Sequence, residues 1–173
     1  YFLSEREFAP QISDVEWNFA GNRRTGIFAL ALRKDGADPF PPESDEVGAD
    51  KKEDKKEDKK DEKKDEPKKP VEPVRIDWEG LDQRVARVPV PADNLNSLEA
   101  VKGNLVYTKV GAFFYGRDSY AKPSLWLFDL KKRKETELVS DIQGFALSQD
   151  GLKAWVRQQA GFIQVDVKAD AKE

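Results

Sequence analysis

The 173-residue sequence predicts an all-β chain of short antiparallel strands, and three observations carry that prediction. Across residues 125–168, apolar and polar residues alternate in short runs broken at Asp129, Asp141, Asp150-Gly151 and Gly161, the period-two pattern of a strand meander. Each run ends on its own turn signal. Ser148-Gln149-Asp150-Gly151 is the clearest, because Gly supplies the positive-φ residue that a tight hairpin needs. The wording then repeats: Asn104-Leu105-Val106-Tyr107 lines up with Lys153-Ala154-Trp155-Val156, and residues 125–130 line up with 162–167. A repeat of roughly 40 to 50 residues, with three or four short strands in each, is the signature of β-propeller blades. About 150 foldable residues hold some three such units, whereas propellers close with roughly four to eight, so the expected fold is a partial β-propeller of about three blades.

Residues 1–7 read as the inner part of a strand, and residues 8–24 as a loop in which Asn18, Gly21 and Asn22 are turn formers. Loops longer than about 12 to 15 residues inside a compact domain are often functional. Arg23-Arg24 therefore reads either as a solvated turn or as an anchor for a carboxylate. In residues 25–34 both alternating sets are apolar, Ile27, Ala29 and Ala31 against Phe28, Leu30 and Leu32, which predicts a strand covered on both faces. Pro39, Pro41 and Pro42 then forbid a ladder. Residues 35–73 are expected to be a Pro-rich and Lys/Asp/Glu-rich flexible, disordered insertion. Within it Lys51, Lys55, Lys59 and Lys63 stand at i and i+4, a like-charge spacing that destabilises a helix. A charged tether is the functional reading of this run and a solvated segment the plain one.

Residues 74–78 and 84–90 read as strands on either side of a Glu79-Gly80 turn, with Pro89 and Pro91 suiting an outer or edge strand. They return the chain to the sheet it left at Lys34, so 1–34 is expected to be a partial blade that 74–94 completes. Loop closure tolerates such a break at about 0.6 kcal/mol per doubling of length. Residues 95–101 and 104–110 form a hairpin about Lys102-Gly103 and open a second blade, 95–141, and 142–173 start a third. Between them, residues 111–124 form a longish loop with Phe113, Phe114 and Tyr115 beside Arg117. These aromatics read either as packing between blades or as a surface on which a ligand, such as a peptide, stacks.

Composition excludes more than it assigns. A net charge of −3 gives no reason to expect nucleic acid. The absence of Cys removes disulfides and thiol catalysis, and the absence of His leaves no Ser-His-Asp or Cys-His system and no His-ligated zinc site. No catalytic residue, cofactor site or metal ligand is assigned. No apolar run approaches the roughly 20 residues that span a bilayer, so no membrane partner is expected. The compartment, cytoplasmic or periplasmic, is not written in the composition. The absence of Met, together with a start inside the apolar run Tyr1-Phe2-Leu3, gives the expectation that the chain is a piece of something longer.

The wording of particular stretches carries a resemblance. YFLSEREFAP, TGIFALALRKD followed by PFPPESDEV, the Lys/Glu-rich insertion, and above all VRIDWEGLDQRVARVPVPADN resemble the propeller region of tricorn-type serine peptidases, nearly along the whole chain. In that family a β-propeller region precedes a PDZ domain and the serine-peptidase core. The resemblance implies a non-catalytic segment that serves as scaffold and as a peptide passage or filter for that core. Its implied partners are peptide or unfolded-protein substrates, the remaining blades, the catalytic core and a homo-oligomer of the parent. The family's catalytic Ser, His and acidic residues lie in the core, so none is carried over to a position here. The turn at Ser148 to Gly151 is also similar to the blade turn of TolB and the prolyl oligopeptidases, with Gln149 where Pro is usual. That similarity supports an alternative, a TolB-like propeller module that binds a protein and belongs to no hydrolase.

Overall fold

The computed structural model describes residues 1–7, 10–12, 19–36, 38–41, 73–112, 119 and 121–169, of which 10–12 and 19–21 are described by backbone alone. Among them the chain is all-β save for one turn of 3-10 helix. Strand β1 (Phe2–Ser4) is followed by a small hairpin, β2 (Pro10–Ile12) with β3 (Phe19–Gly21), and then by β4 (Gly26–Leu30). After residues 42–72, which lie outside the described residues, a 3-10 turn (Leu81–Gln83) leads into β5 (Val85–Arg87). β4 pairs antiparallel with β1 on one side and with β5 on the other, so one sheet is assembled across the insertion.

Four expectations are corrected here. The first strand stops at Ser4 instead of Glu7. β4 ends at Leu30 instead of Lys34, because β5 offers partners only from Phe28↔Arg87 to Leu30↔Val85; Leu32 beyond it is 36% exposed. Residues 8–24, read as loop, contain the β2–β3 hairpin. Residues 74–78, read as a strand, join no ladder: their main chain reaches the sheet through the Asp77 amide, which donates to the Leu32 carbonyl at 2.9 Å. Of the expected insertion, residues 35, 36, 38–41 and 73 are described, and its first residues are held. Phe40 packs against the core, and the Arg133 guanidinium donates to the Pro41 carbonyl at 3.0 Å.

The second sheet is a four-stranded antiparallel meander, β6 (Leu95–Val101), β7 (Asn104–Lys109), β8 (Ser124–Asp129) and β9 (Lys134–Val139), in that spatial order. The third repeats its first three steps with β10 (Gly144–Leu147), β11 (Lys153–Gln158) and β12 (Gly161–Asp166). The aligned stretches 104–107 and 153–156 fall on β7 and β11, the second strand of each sheet. Gly103 at φ 79° and Gly151 at φ 69° make the tight turns after β6 and β10. Around the latter, the Asp150 carboxylate accepts from the Leu152 amide at 3.0 Å, and the Ser148 hydroxyl oxygen accepts from the Lys153 amide at 3.0 Å.

Alternation in β7 explains how the sheets stack. Leu105 and Tyr107 point to one face, where with Phe128 they meet Ile27, Ala29, Val88 and Val90 of the first sheet and its exit. Val106 points to the other face, where with Leu125, Leu127 and Leu138 it meets Ala154, Val156 and Val167. The middle sheet is thus apolar and covered on both sides, as expected of blades packed face to face. Full burial of a Leu such as Leu105, Leu125 or Leu127 is worth about 1.5–3 kcal/mol. The third sheet has only one face in this core; its other face leaves Trp155 and Phe162 54% and 69% exposed. Among the described residues the sheets form no closed barrel.

Candidate functional site

Among the described residues no group of His, Cys, Asp and Glu is gathered in a way that would hold a metal ion. No helix among them is long and apolar enough to cross a membrane. The arginine pair singled out in the sequence sits at the β3–β4 junction, and each member faces a carboxylate of this chain. Arg23, at φ 56°, donates its amide to the Asn94 side-chain carbonyl at 2.9 Å, and Asn94 in turn donates to the Asn22 side chain at 2.8 Å. The Arg23 guanidinium lies 3.8 Å from Asp93, and the Arg24 guanidinium 4.0 Å from Glu5. Such long, exposed pairs are worth about 0–1 kcal/mol. What fixes this corner is the backbone pairing of Thr25 with Asp93, a 3.1 Å bond in each direction. The aromatics Phe113, Phe114 and Tyr115 lie outside the described residues.

Sequence reading missed a polar network on the face of the middle sheet that meets the first. Tyr107 and Lys109 lie two residues apart on β7 and so share a face; the pairings Tyr107↔Trp126 and Phe128↔Glu135 bring Trp126 and Glu135 to the same face. The Tyr107 hydroxyl donates to the Glu135 carboxylate, and the Lys109 ammonium lies 2.8 Å from that carboxylate and 3.9 Å above the Trp126 ring. The Trp126 indole N–H donates to Ser124 Oγ at 2.8 Å. Burial first, and then the hydrogen bond to Glu135, push the Tyr107 phenol well above its ordinary range, so it stays a protonated donor. The arrangement holds one carboxylate between two donors and leaves no lone pair poised on a reacting atom. It is a lock across three neighbouring strands of the middle sheet, β7, β8 and β9, and its signal in the sequence was Tyr107 and Lys109 at period two on one strand.

A groove of about 670 Å³ opens between the second and third sheets, beside their first strands. Ser97, Glu99 and Thr108 line one side, and Asp141, Gln143 and Phe145 the other. β6 slips register between Asn96 and Glu99, and Ser97 there has φ 50°; opposite it Asp141 has φ 54° and pairs with Lys122. At the bulge the Ser97 amide donates to Asn96 Oδ1 at 2.8 Å and the Thr108 hydroxyl donates to the Asn96 carbonyl at 3.1 Å, while the outer side of an edge strand keeps main-chain groups unpaired. β6 and β10 are edge strands of their sheets. The groove therefore offers main-chain hydrogen bonds, hydroxyls and amides over an apolar floor, chemistry suited to holding a chain and without a nucleophile and base in contact.

The family model described as the tricorn protease second beta propeller domain matches residues 1–168. A curated tricorn protease homolog of Streptomyces coelicolor is 36% identical over 86 residues, a stretch that covers 45% of this chain and 7% of the relative. The crystal structure of the tricorn protease matches 97% of this chain with a TM-score of 0.62 at 18% identity, and the match covers 16% of that chain. At that identity the structural likeness speaks for the fold. Both coverages also mean that this chain spans a small part of the proteins it is similar to. With the family model matching all but the last residues, the chain belongs to the family of tricorn protease second β-propeller domains.

Proposed function

We propose that this chain is a non-catalytic propeller segment of a longer tricorn-like serine protease, serving as scaffold and as a peptide passage and filter for a catalytic core that lies outside it. Family membership supports the assignment to a protease. The observation that carries the segment reading is the unequal covering of the sheets: the middle one is clothed on both faces, while the last leaves Trp155 and Phe162 bare on the face where another sheet would stack. On this reading residues 1–34 and 74–94 are one blade, 95–141 a second and 142–173 the beginning of a third. Neighbouring blades and the core are its partners within the parent. Peptides or unfolded proteins pass along the edges of β6 and β10, where the groove beside the bulge lies. The parent's catalytic residues are outside this chain, and its copies assemble.

The passage is tested in the full-length protein. With reactive cysteines elsewhere removed, Ser97→Cys places one thiol on the edge of β6, to be coupled to a bulky polyethylene glycol maleimide. Turnover of an unfolded protein substrate is expected to fall several-fold while a short fluorogenic peptide is cleaved as before. Equal turnover of both substrates with and without the label would refute the passage.

A further inference from the structure

Val74, Ile76 and Trp78 alternate with Arg75 and Asp77 as the residues of a covered strand would, yet they are 73%, 36% and 76% exposed. The segment is held from one side, and Asp77 is the clasp. Its amide donates to the Leu32 carbonyl at 2.9 Å, its carboxylate accepts from the Lys34 amide at 3.0 Å, and its carbonyl accepts from the Arg84 guanidinium. The main-chain groups of Val74 and Ile76 make no hydrogen bond to any described residue. Alternate residues of a strand turn those groups to opposite sides. If this geometry continues from Asp77, whose amide meets Leu32, an added strand would find the groups of Val74 and Ile76 on the opposite side.

Two further observations narrow what would satisfy this edge. Arg84 Nε and Nη1 are shielded from solvent and have no acceptor among the described residues, so the clasp is under-satisfied as it stands. Ile76 and Trp78 line a groove of about 410 Å³ whose charged rim is already paired: Lys34 with Glu79, Arg33 with Asp35, and Arg75 with Asp77. No net charge is left there for a phosphate or a charged peptide to read. What is unmet is apolar area and main-chain hydrogen bonding, and an added β-strand supplies both.

We propose that residues 74–78 are a docking edge for a strand contributed by another part of the same longer polypeptide. The inference rests on the reading proposed above, that this chain is a segment of a larger protease. The choice of occupant follows from length. The chain spans 7% of its curated relative and 16% of the solved tricorn protease chain. Most of such a polypeptide lies outside it and is tethered in cis, at an effective concentration of up to millimolar order that a separate protein or a second copy must match.

The test uses the full-length protein with Trp78→p-benzoylphenylalanine as a photo-cross-linker, prepared as a mixture of isotopically light and heavy copies. Cross-links within one copy to peptides outside residues 1–173 are expected. The amides of Val74 and Ile76 are expected to exchange slower than unprotected amides by on the order of tenfold or more. Ile76→Lys, at a partly exposed position, should abolish both signals without unfolding the sheet. Cross-links into residues 42–72, cross-links between light and heavy copies, or no cross-link with fast exchange would each overturn the proposal. Hydroxyl-radical oxidation of Trp155 separates the two readings. A protected Trp155 with a failed result at Trp78 leaves the segment reading standing and removes this inference; a freely oxidised Trp155 removes the reading that further blades stack on the third sheet.

Discussion

Lys109→Met is the most searching perturbation of the polar lock, because it keeps the apolar stem and removes only the charge. It deletes the 2.8 Å ion pair to Glu135 and the cation held 3.9 Å over Trp126, and it leaves the Glu135 carboxylate with the Tyr107 hydroxyl as its remaining donor in the network. Breaking a fully buried pair costs about 3–5 kcal/mol. Here the two side chains keep 16% and 18% of their surface exposed, so solvent screening reduces the expected loss to about 2–3 kcal/mol. Tyr107→Phe removes a hydrogen bond to a charged group without opening a cavity, at about 1.5 kcal/mol. The double variant Lys109→Met/Glu135→Leu should recover most of the loss, since no unpaired charge remains in it. Unfolding of a multidomain protein is not one transition, so the readout is native-state hydrogen exchange of the β7 amides in the full-length protein. Exchange should accelerate roughly 30- to 150-fold in Lys109→Met, at 1.4 kcal/mol per factor of ten. An acceleration below about threefold, or a double variant as fast as the single, would refute the claim that this network ties β7 to β8 and β9.

Two other perturbations follow from the turns. Gly151→Ala places a Cβ at φ 69°, 3.0 Å from Val101 Cγ1, whereas Gly103→Ala meets only the strain of φ 79° in open space. The first should therefore cost about 2–3 kcal/mol and the second about 1–2 kcal/mol by native-state hydrogen exchange of the flanking strands in the full-length protein, the difference measuring the contact between sheets. Acid should loosen the third sheet. The Ser148 hydroxyl and then the Leu152 amide hold the Asp150 carboxyl below its ordinary range, and Lys153 and then Lys168 do the same for Asp166. A carboxyl whose folded pKa is depressed contributes stability that is present above about pH 4 and lost as the pH falls below it. Amide exchange at β10–β12 between pH 5 and 2 should reveal this loss, and Asp150→Asn should flatten it.

The fold class was legible wherever alternation and a turn signal coincided. Residues 95–101 became β6 with the same ends, and residues 125–130 became Ser124–Asp129, because each run carries its own turn and finds an immediate neighbour to pair with. Residues 74–78 have the same alternation and are no strand. A ladder needs a second chain segment, and a pattern within one segment cannot announce that its neighbour is missing. The over-long reading of β4 has the same cause, since three residues of β5 decide where it stops. The network of Tyr107, Lys109 and Glu135 stayed invisible because Glu135 reaches its partners only through the register Phe128↔Glu135, which a single chain does not spell out. Arg23 and Arg24 illustrate the reverse case. Their presence was plain, but the carboxylates of Asp93 and Glu5 that face them come from segments 70 and 19 positions away in the chain.

The Asp77 clasp also changes what chain length means at this point in the sheet. Lys34 donates its amide to the Asp77 carboxylate, the Asp77 amide closes onto Leu32, and the Lys34 ammonium meets Glu79, so the mouth of the excursion is tied at three points. Whatever occupies the interval, β4 and β5 are presented to one another as though joined by a short turn. Doubling the interval would raise the closure cost by only about 0.6 kcal/mol, borne once at the knot and not along the strands. Such a junction tolerates drift in the length and composition of what it encloses. It is therefore a natural port in this scaffold, where foreign sequence can be spliced in while the stacking of the sheets stays as it is.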